Sequence, residues 1–108
     1  MRRILLTLIF CLQAHASVSQ GKLIYSQHCL SCHLEGKYLA NTKKAKEWKA
    51  LLKIKEKSNK LSHLHLKLES AKSSWLYFSH DTYLQDSKHL KDLLQKYSLD
   101  RAKHNSCF

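Results

Sequence analysis

Residues 29–33 read Cys-Leu-Ser-Cys-His, a C-x-x-C-H pattern that is typical of covalent haem attachment. Two thiols three positions apart, on one helical turn, can add to the two vinyl groups of a porphyrin. The histidine directly after them then lies under the iron and can supply its proximal nitrogen. The stretch therefore predicts one haem c, attached to Cys29 and Cys32 and ligated by His33.

The N-terminus has the pattern of a signal peptide. Arg2 and Arg3 precede a largely apolar run at residues 4–12, and Ala14-His15-Ala16 then matches a small-x-small cleavage site. The apolar run is shorter than the roughly 20 residues that span a bilayer. We expect residues 1–16 to be cleaved after Ala16, leaving a haem domain at 17–108 in the periplasm. An uncleaved membrane anchor is the alternative.

The chain is strongly basic, with a formal net charge of +11, and the loss of Arg2 and Arg3 would leave +9. An exported protein does not ordinarily meet nucleic acid, so the charge favours acidic protein partners or the surface of an anionic membrane. It would mainly raise the rate of association. Solubility alone is the competing explanation, and the sequence leaves the oligomeric state open.

The cysteine count argues against a disulfide-stapled fold. Cys29, Cys32 and Cys107 remain after the predicted cleavage, and an odd number rules out a full set of internal disulfides. So short a chain builds only a modest core, to which a haem would add a large apolar surface. The role of Cys107 stays open between a free thiol, an intermolecular disulfide and an iron ligand.

The segment before the motif is expected to be a helix over Ser17–His28. Gly21, Tyr25 and Cys29 follow one another at intervals of four, so they share one helix face. A glycine there permits a close helix crossing. Tyr25, one turn later, is expected to pack over the edge of the haem.

The next segments predict a loop and a basic helix. Leu34–Asn41 is expected to be a loop with Gly36 at its turn, and Thr42 is expected to cap a helix over Lys43–Lys57. Seven of the 16 lysines lie in that helix, which makes it a candidate docking face, although such a run is commonly only solvated. Its expected buried stripe is Ala45, Trp48, Leu51 and Leu52, with Trp48 in the core rather than on the haem.

The C-terminal half is expected to contain two further helices. Leucines alternate with His63 and His65 in Lys60–Leu68, which favours an extended segment with both histidines on one side. Ser70–His80 is expected to be a helix with Ala71, Trp75 and Phe78 on one face, followed by a polar turn over Asp81–Asp86. Ser87 would cap the last helix, whose apolar stripe packs across the first helix near Gly21. The residues of that stripe are Leu90, Leu93, Leu94 and Tyr97.

Two stretches resemble class I single-haem cytochromes c. Residues 21–33, GKLIYSQHCLSCH, look like the N-terminal helix and haem motif of that class, and residues 87–97, SKHLKDLLQKY, look like its C-terminal helix. The middle of the chain is similar to small exported cytochromes c of campylobacter-type bacteria. The resemblance implies an all-α domain wrapped around one covalent haem, with its first and last helices crossing.

The chain departs from that class on the distal side of the iron. The class normally supplies a methionine there, whereas this chain has only Met1, within the predicted signal peptide. His65 is the first candidate for the distal ligand, because similar proteins place a histidine there. His80 and His89 are the alternatives, together with another ligand or none.

The leading hypothesis is a one-electron carrier, not an enzyme, that docks acidic proteins of a respiratory chain through its lysines. A haem-based binder or sensor of small gas molecules, with an open or weakly held distal site, is the alternative. A thiol redox motif and a zinc site formed by Cys29, Cys32 and His63 or His65 are less consistent with the helical pattern and the spacing.

Overall fold

A computed structural model describes residues 16–101, and this part of the chain is mostly helical. Helix α1 occupies residues 16–28. It is followed by α2 (Gly36–Ala40), α3 (Ala45–Leu52), α4 (Lys60–Leu66), a 3₁₀ helix (Glu69–Ser74), α5 (Trp75–Phe78) and α6 (Asp81–Lys96). The described residues contain no β-strand, only an isolated bridge between Lys55 and Ser58. The all-α class expected from the sequence is thus confirmed.

Helices α1 and α6 cross in close contact at Gly21. A Cβ atom added at Gly21 would lie 2.5 Å from the backbone oxygen of His89 and 2.9 Å from the Cβ of Leu93. Ser17 ties the same helices together, since its hydroxyl donates to Asp92 at 2.6 Å. The crossing near Gly21 predicted from the sequence is therefore confirmed.

The core lies between α1, α3 and α6. The stripe expected on the last helix is buried, and Ile24 and Tyr25 of α1 belong to the same cluster. Trp48 is also buried, and its Nε1 donates to the backbone oxygen of Ala40 at 2.8 Å. The prediction that Trp48 is a core residue is confirmed.

The predicted loop and basic helix are partly wrong. Residues 36–40 form α2, and Gly36 begins that helix without a positive φ. Thr42 does not cap α3, because its hydroxyl donates back to Leu39, whereas the first N–H of α3 is bound by the carboxylate of Asp100. Helix α3 ends at Leu52, since a tight turn follows in which Glu56 and Lys57 adopt positive φ angles.

Two further boundaries differ from the expectation in the C-terminal half. The segment at 70–80 is a 3₁₀ helix followed by the short helix α5, rather than one continuous helix. Residues 81–86 are not a turn but the first part of α6. His80 caps that helix by accepting from Thr82 N, and Ser87 lies buried in its interior.

The predicted extended segment at 60–68 is helix α4, which begins at the buried side chain of Asn59. The Asn59 Oδ1 accepts from Ser62 N at 2.9 Å and from the Tyr83 hydroxyl at 2.8 Å, and its Nδ2 donates to Ser87 Oγ at 3.0 Å. An asparagine at this position is a strong start signal for a helix. The cap outweighs the alternating pattern and fixes α4 against α6.

The predicted signal peptide lies outside the described residues except for Ala16. Cys107 also lies outside them. Within the described part of the chain, no helix is both long enough and apolar enough to cross a bilayer.

Gly21→Ala should destabilise the protein. Alanine alone would favour the helix by about 1 kcal/mol, but its Cβ would meet backbone atoms of α6, and overpacking of this kind costs about 1–3 kcal/mol. We expect a net loss of about 1 kcal/mol in the free energy of unfolding, measured by urea denaturation. Gln20→Ala, an exposed neighbour on the same helix, is the control. A Gly21→Ala protein as stable as wild type would contradict the crossing.

Candidate functional site

The C-x-x-C-H motif forms a hydrogen-bonded turn directly after α1. His33 N donates to the backbone oxygen of Cys29 at 2.9 Å, and Cys32 N donates to the same oxygen at 3.2 Å. Both cysteines are free thiols. The three side chains expected to bind a cofactor are thus presented from a single turn.

The two thiols have different surroundings. Cys29 is half-buried beside the aromatic residues of α5 and α6, and burial, followed by the neighbouring Cys32, raises the pKa of Cys29 to about 12. Cys32 is exposed, and its Sγ lies 3.9 Å from the hydroxyl of Ser73 in the 3₁₀ helix. Cys29 therefore faces the interior of the protein, and Cys32 faces the solvent.

Tyr25 fixes the chain on either side of the motif. Its ring is buried in the core cluster, and its hydroxyl donates to the backbone oxygen of Leu34, directly after the motif. Burial, with a smaller effect of Cys29, raises the pKa of Tyr25 to about 12. The Tyr25 side chain thus holds the turn against the core, and its hydroxyl remains protonated at neutral pH.

The structure brings His33 and His65 together. Their ring centroids are 6.0 Å apart, and the ring planes are inclined by 71°. Partial burial lowers the pKa of His33, and the nearby His65 lowers it further. Both effects favour a neutral imidazole at His33, which is the form that binds a metal ion.

Contacts from three sides fix the position of His65. Its Nδ1 lies 2.8 Å from the backbone oxygen of Leu61, one turn earlier in α4, and its own backbone oxygen accepts from Trp75 Nε1 at 2.9 Å. Its ring stacks on Phe78 with a centroid distance of 4.2 Å. With a proton on Nδ1 donated to Leu61, the lone pair of Nε2 is free to bind a ligand.

The other candidate histidines serve different contacts. His63 is exposed, and its Nε2 lies 2.9 Å from Ser58 Oγ, so it does not share a side with His65 as the extended segment predicted. His80 caps α6 through its Nδ1. The Nδ1 of His89 lies 2.9 Å from Ser17 Oγ, at the crossing of α1 and α6. Each of these three side chains thus has a hydrogen-bond partner outside the C-x-x-C-H motif.

Large apolar side chains are exposed around the motif and around His65. Leu34 is 73% exposed and Leu76, beside Trp75, is 82% exposed. The complete group is Leu30, Leu34, Leu64, Leu66, Leu68 and Leu76. Single exposed leucines are ordinary, but several on the segments that carry one site indicate a surface that binds something apolar.

An aromatic cluster packs beside His65, and the sequence pattern predicted only part of it. Phe78 contacts the edges of Tyr77 and Tyr83, and Tyr77 also stacks on His28 at 3.7 Å. The Tyr77 hydroxyl donates to Asp86 at 2.7 Å, and burial together with this bond raises the pKa of Tyr77. The spacing of Trp75 and Phe78 indicated a buried face, but nothing local in the sequence pointed to His65 as their partner.

The lysines of residues 43–57 take no part in the ion pairs of the described chain. Those pairs join Lys37 to Glu35 and Lys72 to Glu69. Lys43 lies over the ring of Trp48, with its Nζ 6.0 Å from the centroid, and the charges of this region are not used in salt bridges within the described chain.

Histidine, cysteine, aspartate and glutamate side chains do not form a group of three or more able to hold a metal ion anywhere in residues 16–101. The ligands of the zinc alternative, Cys29 and Cys32 with His63 or His65, are within this range. Comparisons of the chain with protein family models, with curated proteins and with solved structures found no match.

The different surroundings of the two thiols predict different reactivity in the haem-free chain. A pKa of about 12 keeps Cys29 protonated at pH 8, and thiolate is the form that alkylating reagents attack. We expect iodoacetamide to modify Cys32 at least about tenfold faster than Cys29. Mass spectrometry of a Cys11→Ser, Cys107→Ser chain would follow both reactions. Equal rates would contradict the described burial of Cys29.

Proposed function

We propose that this protein is a periplasmic, mono-haem c-type cytochrome that carries one electron at a time. In this proposal Cys29 and Cys32 hold the haem covalently, His33 is the proximal ligand and His65 is the distal ligand. The observation that carries the proposal is the approach of the His65 imidazole of α4 to within 6.0 Å of the His33 imidazole, beside the two free thiols of the same motif.

The separation of the two imidazoles suits a single metal ion between them. With a metal–nitrogen distance of about 2 Å, two imidazoles that bind one ion from opposite sides have centroids roughly 6 Å apart. A haem iron requires only two axial ligands from the protein, since the porphyrin fills its other four positions. His33 and His65 together make such a pair.

The hydrogen bond behind His65 also fits a ligand. Metal-binding histidines usually donate their second ring N–H to a carbonyl or carboxylate, which fixes the tautomer and the orientation of the ring. The Leu61 oxygen accepts this bond from His65 Nδ1. The Nε2 lone pair is thereby held available for the iron.

The exposed leucines support an apolar cofactor at the same place. Leu30 and Leu34 belong to the motif segment, and Leu64 and Leu66 flank His65 in α4. The flat hydrocarbon surface of a porphyrin would cover side chains of this kind and remove them from water. Burial of apolar area stabilises a fold by about 25 cal/mol per Å².

The proposed function needs a stable ligand set and a docking face. The bound haem would supply a one-electron couple, whose potential is lower with two histidines than with a histidine and a methionine. His33 and His65 would be the residues that hold the iron in both of its oxidation states. The lysines of residues 43–57 would attract acidic redox proteins, or would bring the molecule to an anionic membrane surface. No substrate is turned over, so the protein is not an enzyme.

Covalent haem attachment tests the proposal directly. The chain is co-expressed in a bacterium with a cytochrome c maturation system, and the exported product is assayed by its pyridine haemochrome spectrum. We expect one haem per chain that resists extraction with acidified acetone. The Cys29→Ser, Cys32→Ser double variant should lose it entirely, whereas Cys107→Ser should retain it. A wild-type product without covalent haem would end the proposal.

The two histidines of α4 offer a matched pair for testing the distal ligand. His65→Ala should convert a low-spin iron to high spin and tighten carbon monoxide binding at least about tenfold, because the competing imidazole is gone. His63→Ala, two residues away and exposed, should leave the spectrum unchanged. Absorption spectra of the ferrous proteins, titrated with carbon monoxide, measure both properties.

The same titration separates the carrier from a gas binder. A wild-type ferrous protein that shifts strongly with carbon monoxide at micromolar concentration would favour the gas-binding function instead. A His63→Ala protein that behaves like His65→Ala would contradict the ligand assignment.

A further inference from the structure

The position of His65 depends on contacts with two other segments of the protein. Its hydrogen bond to Leu61 lies within α4, whereas Trp75 holds its backbone oxygen and Phe78 packs against its ring face. The bond to Leu61 sets the tautomer, and Trp75 acts on the main chain alone. Phe78 is therefore the aromatic contact that ties the imidazole plane itself to α5.

Phe78 is in turn held firmly. It is only 8% exposed, and it contacts the edge of Tyr83 at a centroid distance of 4.8 Å and the edge of Tyr77 at 5.4 Å. The Tyr83 hydroxyl donates to Asn59, which is the residue that caps α4. Helix α4 is thus connected to Phe78 at two points, directly through His65 and indirectly through Asn59 and Tyr83.

We infer that Phe78 is a positioning residue that holds the His65 imidazole toward His33 and so controls access of external ligands to the distal side. The inference rests on the proposed function. A small ligand binds only while His65 is displaced, so its apparent affinity scales with the fraction of molecules in which the distal side is open. Stacking on a buried ring makes that displaced state rarer.

Removal of the ring at position 78 should therefore raise the affinity for carbon monoxide. An aromatic pair contributes up to about a factor of ten to an equilibrium constant beyond the burial of its area. We expect Phe78→Leu and Phe78→Ile to bind carbon monoxide up to about tenfold more tightly than wild type. Phe78→Tyr, which keeps the ring, should bind as wild type does.

A destabilised variant with its change elsewhere is the matched control. Leu94→Ala removes buried volume from α6, so it lowers stability through a change on a different helix from those of His65 and Phe78. All variants are compared as haem-loaded proteins well below their unfolding temperatures, with carbon monoxide affinity and iron spin state as readouts. If Phe78 contributed only to stability, the carbon monoxide affinity of Leu94→Ala would rise as much as that of Phe78→Leu. This result would overturn the inference.

The remaining outcomes are also decisive. Unchanged carbon monoxide affinity in both Phe78 variants, with the haem attached, would overturn the inference and leave the proposed function standing. A wild-type chain without covalent haem would overturn both. If neither variant folds, nuclear Overhauser contacts between the His65 and Phe78 rings in the diamagnetic ferrous wild type decide, since their presence supports the inference and their absence overturns it.

Discussion

The amide side chain of Asn59 is the interaction on which the site depends. It is buried, and it bonds to the first turn of α4 and to Tyr83 and Ser87 of α6. A buried amide that loses its partners costs about 1–3 kcal/mol for each group left unpaired. Helix α4 is thereby held in one orientation against α6, and that orientation directs His65 toward His33.

The elements that the sequence predicted well are those whose signals are local. The apolar residues of α6, among them Leu90 and Leu93, recur at the helical period. Gly21 lies on the same face of α1 as Tyr25, so it could be predicted as the point where another helix approaches closely. The prediction of an extended segment in place of α4 was wrong, because the leucines of α4 alternate with other residues as they would in a strand. The cap at Asn59 is a local signal that the alternating leucines obscured. The bonds of Asn59 to Tyr83 and Ser87, more than 20 residues away, are tertiary contacts that no local pattern contains.

The candidate site also has one part that local sequence predicts and another part that depends on tertiary packing. The motif itself contains the two thiols and His33, so their presentation from a single turn could be predicted from spacing. The approach of His65 to His33 depends on the tertiary packing of α4, and the sequence, which favoured His65, left His80 and His89 open as alternatives. Trp75 and Phe78 lie in a segment whose irregular 3₁₀ start breaks the helical period, so their contacts with His65 could not be predicted.

The contact between Ser17 and Asp92 joins residues 75 positions apart, near the two ends of the described chain. Pairing at such a distance in sequence is slow to form, because the intervening chain must first lose much of its freedom. Helix α1 leads directly into the two thiols, yet its partner α6 is synthesised only after the intervening residues 29–80. The motif therefore emerges well before its packing partner, and α1 can be packed only once α6 has been synthesised.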